Sequence, residues 1–270
     1  MEELILKAPA KLNLHLQVLE KREDGFHDLS SLFTLIDLYD SLILRERKKN
    51  IELLESLPIE NNIVVLAAKL LKDYSGTDKG VTIELRKSIP SQKGLGGGSS
   101  DAAAVLIGLT KLWQLNLSKK ELFDIGLQLG SDVPFFLFGE TAWVLGKGEI
   151  LNKYPYSEKH YLLYFPERGI STADAFKEVT TNCEAELTAE NYISEKAFNS
   201  FEGWIRSTYP DIDKIFKDFA SIGIPRLSGT GSTVFVEFNT LKEAQEAKEK
   251  FPQLLLVKSL ERSPLMQIIE

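Results

Sequence analysis

The sequence contains one cysteine, Cys183, in 270 residues. That excludes an internal disulfide and any zinc site built from several cysteines, and leaves Cys183 as a spare thiol. No apolar run approaches the ~20 residues of a membrane span. The first residues, MEELILKAPAK, start acidic, unlike the basic start of a signal peptide. The expectation is a cytoplasmic protein with no membrane partner. Positive charge is also short: 32 Lys and Arg against 39 Asp and Glu give a formal net charge of −7. Sequence-independent affinity for DNA or RNA comes from clustered basic side chains, so no nucleic-acid partner is expected. An anionic small ligand would need local positive groups.

Hydrophobic content of 43% and charged content of 26% are those of a globular protein. The length allows roughly two domains, each with a core of its own. In KLNLHLQV the alternation is strict, with Leu12, Leu14, Leu16 and Val18 on one face and Lys11, Asn13, His15 and Gln17 on the other. This predicts a strand with one buried face. More strand-like sequence follows in LFTLIDLYDSLILRE, then a helix in NNIVVLAAKLLKDY, a strand in GVTIELRKSIP ending at Pro90, and a helix over Ser99–Trp113. SKKELFDIGLQLG reads as an amphipathic helix stopped by Gly130. A new pattern begins with the strand YLLYFPE, which puts a domain junction near Tyr154–Glu158 and predicts domains of residues 1–155 and 156–270. The second half alternates helix DIDKIFKDFASIG, strand STVFVEF, helix LKEAQEAKEKF and strand QLLLVKSL, a small split βαβ layer in an α+β protein.

Between the strand ending at Pro90 and the helix near Ser99 lies KGLGGGSSDAAA, residues 93–104. Amide N–H groups of such a loop and of the first helical turn are free to converge on one anion. Glycines there permit positive φ and remove side chains that would hold a phosphate away. The stretch is not a Walker A loop, and Ser99 stands where a dinucleotide fingerprint requires its last glycine. A phosphate cradle and a serine-capped hinge both fit these residues.

PAKLNLHL, PSQKGLGGGSSDAAA and RLSGTGSTVFVEF stand in the order and spacing of the three motifs of the GHMP kinases, and the chain resembles that superfamily from Lys7 to about Phe238. KREDGFH, GLGGGSSDAA and LGSDVPFFLFG further resemble its branch that phosphorylates a cytidine diphosphate derivative. The resemblance implies a two-domain α+β fold. A ribosomal-protein-S5-like N-terminal domain would bind ATP with Mg²⁺, and a ferredoxin-like C-terminal domain would close the cleft. Oligomeric state stays open. A homoserine- or mevalonate-type kinase and a catalytically silent nucleotide sensor are the other readings.

The same resemblance implies roles. Asp132 matches the catalytic base; Phe135, Phe136 and Phe138 after it form an apolar setting that raises a carboxylate's pKa by desolvation. Lys11 matches the catalytic lysine and would hold Asp132 ionised and offset phosphate charge. His15 is expected to be structural support. ATP would lie against Pro90, Lys93, Gly94, Leu95, Gly96, Gly97, Gly98, Ser99, Ser100 and, beside the adenine, Asn62. Ser99 or Ser100 would also cap the helix, and Asp101 would answer its dipole. Lys93 departs from the family's small residue, and would contact phosphate or be solvated. Asn13, Phe26, His27, Thr172, Phe176, Gly229, Thr230 and Gly231 would bind the acceptor. Phe26, where the family more often has tyrosine, and Phe176 would sandwich the cytosine, and His27 would read its edge. Two rings on one base contribute about 1–3 kcal/mol each by analogy with single-strand binders.

Overall fold

The computed structural model describes residues 2–54, 62–179 and 187–269; Cys183 lies outside them. Two long antiparallel strands, β1 (Glu3–Lys21) and β2 (His27–Arg47), form the spine. β2 also pairs with β4 (Gly80–Arg86) and β5 (Ala142–Gly146). β3 (Ile51–Leu54) and β6 (Ile150–Lys153) extend the two edges. Against this sheet pack α1 (Ile63–Ser75) and α2 (Gly97–Leu112), and on those helices pack α3 (Lys119–Leu129) and the short α4 (Val133–Phe138). The alanines of α2 let it sit close: Ala102, Ala103 and Ala104 are fully buried beside Leu6, Leu42 and Leu44.

The second layer begins with β7 (His160–Tyr164) and α5 (Thr172–Glu178). It continues with α6 (Glu202–Thr208), α7 (Pro210–Phe219), β8 (Pro225–Leu227), β9 (Val234–Phe238), α8 (Leu241–Lys250) and β10 (Leu255–Leu260). Its strands lie antiparallel in the order β10-β7-β9-β8, and β10 joins β2 through Ser259 and Leu260, so the two sheets are continuous. Phe201, Ile212, Phe216 and Phe219 fill the space beneath the second sheet. The C-terminal α9 (Met266–Ile269) turns back across the expected boundary: Leu265 and Met266 complete the first core, and Ser263 N–H donates to Gly139 O at 2.7 Å.

β1 departs from the expected half-exposed strand, because every residue from Ala8 to Val18 is buried. The polar face is covered by the second layer, which reaches β1 through Leu16 N–H to Phe198 O (2.9 Å) and Ser200 N–H to Leu16 O (2.9 Å). His15 is buried in that contact, stacked on Trp143 and meeting the edge of Phe198; burial drives its pKa down to about 4, so it is a neutral packing residue. The helix α2 starts at Gly97, two residues earlier than expected. Its N-cap is Gly96 in the left-handed region, with no side-chain cap, so neither Ser99 nor Ser100 caps it.

Candidate active site

A cleft of about 1710 Å³ runs between the layers. It is lined by every residue expected from sequence to touch a ligand except Ser100, which is fully buried behind it. Lys11 reaches the cleft because its backbone N–H donates to Leu95 O at 3.0 Å, locking β1 to the loop before α2. Leu95 itself points its side chain into the core. The Lys11 ammonium is buried, 2.5 Å from Asn13 Oδ1, 3.5 Å from Asp132 Oδ2 and over the Phe33 ring. Burial lowers its pKa, opposed by the facing carboxylate of Asp132.

Asp132 occupies the N-cap position of α4, yet its side chain caps nothing and turns to Lys11. The expected phenylalanine surroundings do not enclose it: Phe135 and Phe136 are fully buried in the core, while the Asp132 side chain keeps 31% of its exposure towards the cleft. Its setting is set by the ammonium, not by the rings.

The first intrahelical bond of α2 runs from Ser100 N–H to Gly96 O at 2.9 Å, so the amides of Gly97, Gly98 and Ser99 precede the ladder, the arrangement that favours an anion. The glycines differ in what they permit. Gly94 has φ 73°, and a Cβ there would fall 2.0 Å from Ser228 O. It is the contact point of the two glycine loops, where Ser228 Oγ also donates to Gly94 O at 2.9 Å. A Cβ on Gly97 would press on Ile89 and Asp40, inside the protein and away from the expected phosphate. Gly98 alone of these faces open space, its nearest neighbour being Ile63 Cγ2 at 3.7 Å. Asn62 accepts from Val64 N–H at 3.1 Å as the N-cap of α1 and also lines the cleft.

The opposite wall comes from the second layer. Thr172 Oγ1 and Thr230 Oγ1 are 3.2 Å apart, and Asn199 Nδ2 holds the third-motif loop by donating to Gly229 O at 2.7 Å. The expected ring pair is rearranged. His27, not Phe26, stacks on Phe176, with centroids 5.3 Å apart and planes at 27°. Phe26 is 52% exposed and lies under the Lys147 ammonium. Residues 26 and 27 enter β2 from a tight turn at Gly25, and consecutive side chains of a strand point to opposite sides.

Two assignments change outright. Lys93 neither meets the anion-binding amides nor is solvated: it is buried and donates to the carbonyls of Pro166, Glu167 and Arg168. Asp101 does more than answer a helix dipole, since its buried carboxylate pairs with Lys87 at 2.6 Å, and Lys87 pairs with Asp40 at 2.5 Å. Burial, with Asp40 nearby, pushes the Asp101 carboxyl up to about 7 against the pull of Lys87. Lys87 and Lys147 both line the cleft and were missed. Their only signal in sequence is a basic residue shortly before each of two glycine-containing turns.

Residues 62–140 match the family described as GHMP kinases N terminal domain. A protein of Thermodesulfovibrio yellowstonii named 4-diphosphocytidyl-2-C-methyl-D-erythritol kinase is 42% identical over 92% of this chain and 94% of its own length. One of the same name from Polynucleobacter necessarius is 37% identical, covering 100% of this chain and 97% of its own. The crystal structure of a 4-(cytidine 5'-diphospho)-2C-methyl-D-erythritol kinase superposes with a TM-score of 0.84 at 30% identity, over 95% of this chain and 99% of that one. Homoserine kinase from Cytophaga hutchinsonii, at 18% identity and a TM-score of 0.68 over 97% of this chain and 96% of its own, shares the fold.

Proposed function

The chain belongs to the 4-diphosphocytidyl-2-C-methyl-D-erythritol kinase family of the GHMP kinases, and from that membership we propose how its cleft carries out the reaction. The protein is an ATP-dependent kinase of isoprenoid precursor biosynthesis. It transfers the γ-phosphoryl group of ATP to the 2-hydroxyl of 4-diphosphocytidyl-2-C-methyl-D-erythritol. We propose that it works in the cytoplasm. No helix among the described residues is long and apolar enough to cross a membrane. Residues 1–155 form the ribosomal-protein-S5-like ATP domain and 156–270 the ferredoxin-like domain, with residues 265–266 lent back to the first core.

The observation that carries the reading is the Lys11–Asp132 pair at one end of the amides that open α2. The triphosphate lies on the amides of Gly97, Gly98 and Ser99. Asp132 accepts the proton of the acceptor hydroxyl as its oxygen bonds to the γ-phosphorus, and the bond to the β-phosphate oxygen breaks to release ADP. Lys11 pairs with the Asp132 carboxylate and faces the charge on the transferring group. Asn13 orients Lys11 through its Oδ1.

Among the described residues no group of three carboxylate, histidine or cysteine side chains could cage a metal. Mg²⁺ ordinarily takes one or two protein oxygens and completes its shell with phosphate and water. Ser99, which lines the cleft at the opening of α2, offers such an oxygen, whereas Ser100 is enclosed behind the loop. When bound, the ion neutralises charge on the phosphates. The acceptor lies along the second wall, its cytosine against Phe176 and His27, the two rings that face each other there. ATP consumption measured in parallel with the cytidine substrate, mevalonate and homoserine tests the reading. Turnover with mevalonate or homoserine alone overturns it, and no turnover with any of them leaves the nucleotide-sensor reading in its place.

A further inference from the structure

We infer that Lys93 is a positioning residue that fixes the spacing between the phosphate-binding loop and the acceptor wall of the cleft. An ammonium carries three N–H donors. In Lys93 each has a carbonyl partner: Pro166 O, Glu167 O at 3.0 Å and Arg168 O at 2.6 Å. None is left for a phosphate, and a buried ammonium with its donors satisfied has no reason to leave. The three carbonyls belong to the segment that leaves β7 and leads into α5, whose first residue is Thr172 and whose inner face carries Phe176. The acceptor role of that wall rests on the function proposed above; the strut does not.

The main chain reinforces the same joint. Thr233 N–H donates to Lys93 O at 3.3 Å, and Ser232 Oγ donates to Arg168 O at 2.6 Å. Gly169 packs so closely on Gln92 that a Cβ there would fall 2.7 Å from Gln92 Oε1. Lys93 stands immediately before Gly94, the contact point of the two glycine loops. One side chain therefore ties the loop that holds ATP to the root of the helix that faces the acceptor. A small side chain at position 93 would leave those carbonyls to water and the joint without its strut. Residue 93 thereby sets how far apart the two substrates are held, without touching either.

Lys93→Met in the full chain keeps the apolar stem and removes the donors. The acceptor KM is expected to rise about ten-fold, equal to about 1.4 kcal/mol, while the ATP KM stays within two-fold. Lys93→Gln, which can still donate to two carbonyls, should fall between. The decisive control is rescue: Lys93→Cys in a Cys183→Ser background, alkylated with 2-bromoethylamine, regains an ammonium of the original length and should regain the parent acceptor KM. If the Met variant does not fold, the Gln and alkylated variants carry the test. Amide hydrogen exchange over residues 169–172 should quicken in Lys93→Met, a readout independent of the acceptor's identity. Faster exchange in a protein that never uses the cytidine substrate would therefore keep the strut and discard only the acceptor reading. A raised ATP KM with the acceptor KM unchanged would make Lys93 a phosphate ligand and overturn the inference. Equal rises in both KM values with a lowered Tm, or unchanged exchange, would overturn it as well.

Discussion

Gly98→Ala separates what the protein requires of its glycine loop from what the nucleotide requires. Gly98 lies in the first turn of α2 with a helical backbone, and a Cβ added there meets nothing closer than Ile63 Cγ2 at 3.7 Å, an ordinary van der Waals distance. The fold accepts the methyl group without strain. Alanine is favoured over glycine within a helix by about 0.8–1.0 kcal/mol, and less than that in a first turn. A domain of this size gains roughly 2–4 °C in Tm per kcal/mol, so the variant should melt at the parent temperature or slightly above it. The methyl group projects into the cleft beside the amides proposed to hold the triphosphate. Displacing a phosphate there should raise the ATP Kd about ten-fold or more, an order-of-magnitude figure of 1.4 kcal/mol. Thermal melting and calorimetry with ATP and with cytidine diphosphate separately provide the assay. Binding of the cytidine nucleotide should be unchanged. Parent-like ATP affinity at an undiminished Tm would show that phosphate does not approach residue 98.

Asp132→Asn keeps the shape of the proposed base but cannot accept a proton, so kcat should fall roughly 10²–10⁴-fold with ATP still bound; steady-state kinetics with an unchanged kcat would remove Asp132 from the reaction. Phe176→Leu should weaken the cytidine substrate several-fold and spare ATP, because it removes a stacking face while keeping much of the volume; equal titration isotherms for parent and variant would count against base stacking on α5. Burial pushes the Glu202 carboxyl from 4.5 up to about 7, against the Leu227 N–H it accepts and the charges of Arg226 and Arg206. The folded state therefore holds that proton longer than the unfolded chain, and stability from this group is present below about pH 4.5 and is lost as pH rises to about 7. Glu202→Gln should flatten that part of the stability curve and add up to roughly 3 kcal/mol at pH 8, read from Tm against pH; an unaltered slope would place the effect elsewhere.

Periodic features were legible before the fold was known. The alternation from Lys11 to Val18 identified β1 and the face that carries Lys11 and Asn13, and the apolar spacing of residues 63–75 identified α1. What alternation could not give was the cover over the polar face, since the covering residues Phe198 and Ser200 are far away in sequence. Phe26 and His27 show a different limit. The family resemblance implies that Phe26 and Phe176 pair, but the chain leaving the turn at Gly25 brings His27 to Phe176 instead. Lys93 and Lys87 show a third: their partners are main-chain carbonyls and distant carboxylates, and neither kind follows a period. The start of α2 was misplaced because a helix opening on Gly96 has no side-chain cap to announce it.

The return of residues 265 and 266 to the first core has a consequence for how the protein is made. Met266 sits against Gly139, where even a methyl group would lie 2.7 Å from its Cγ, and Ser263 is bonded to the same glycine. Those residues leave the ribosome roughly 130 positions after Gly139, which at about 5–20 residues per second is a delay of roughly 6–25 s. During that interval the nascent first domain has its sheet and helices but lacks the plug that closes the end of α2. Apolar surface beside Gly139 and α2 would remain a target for chaperones until residues 265 and 266 are in place. A chain that stalls short of residue 265 would thus resemble a client awaiting its final segment, even with every proposed ATP contact already synthesised.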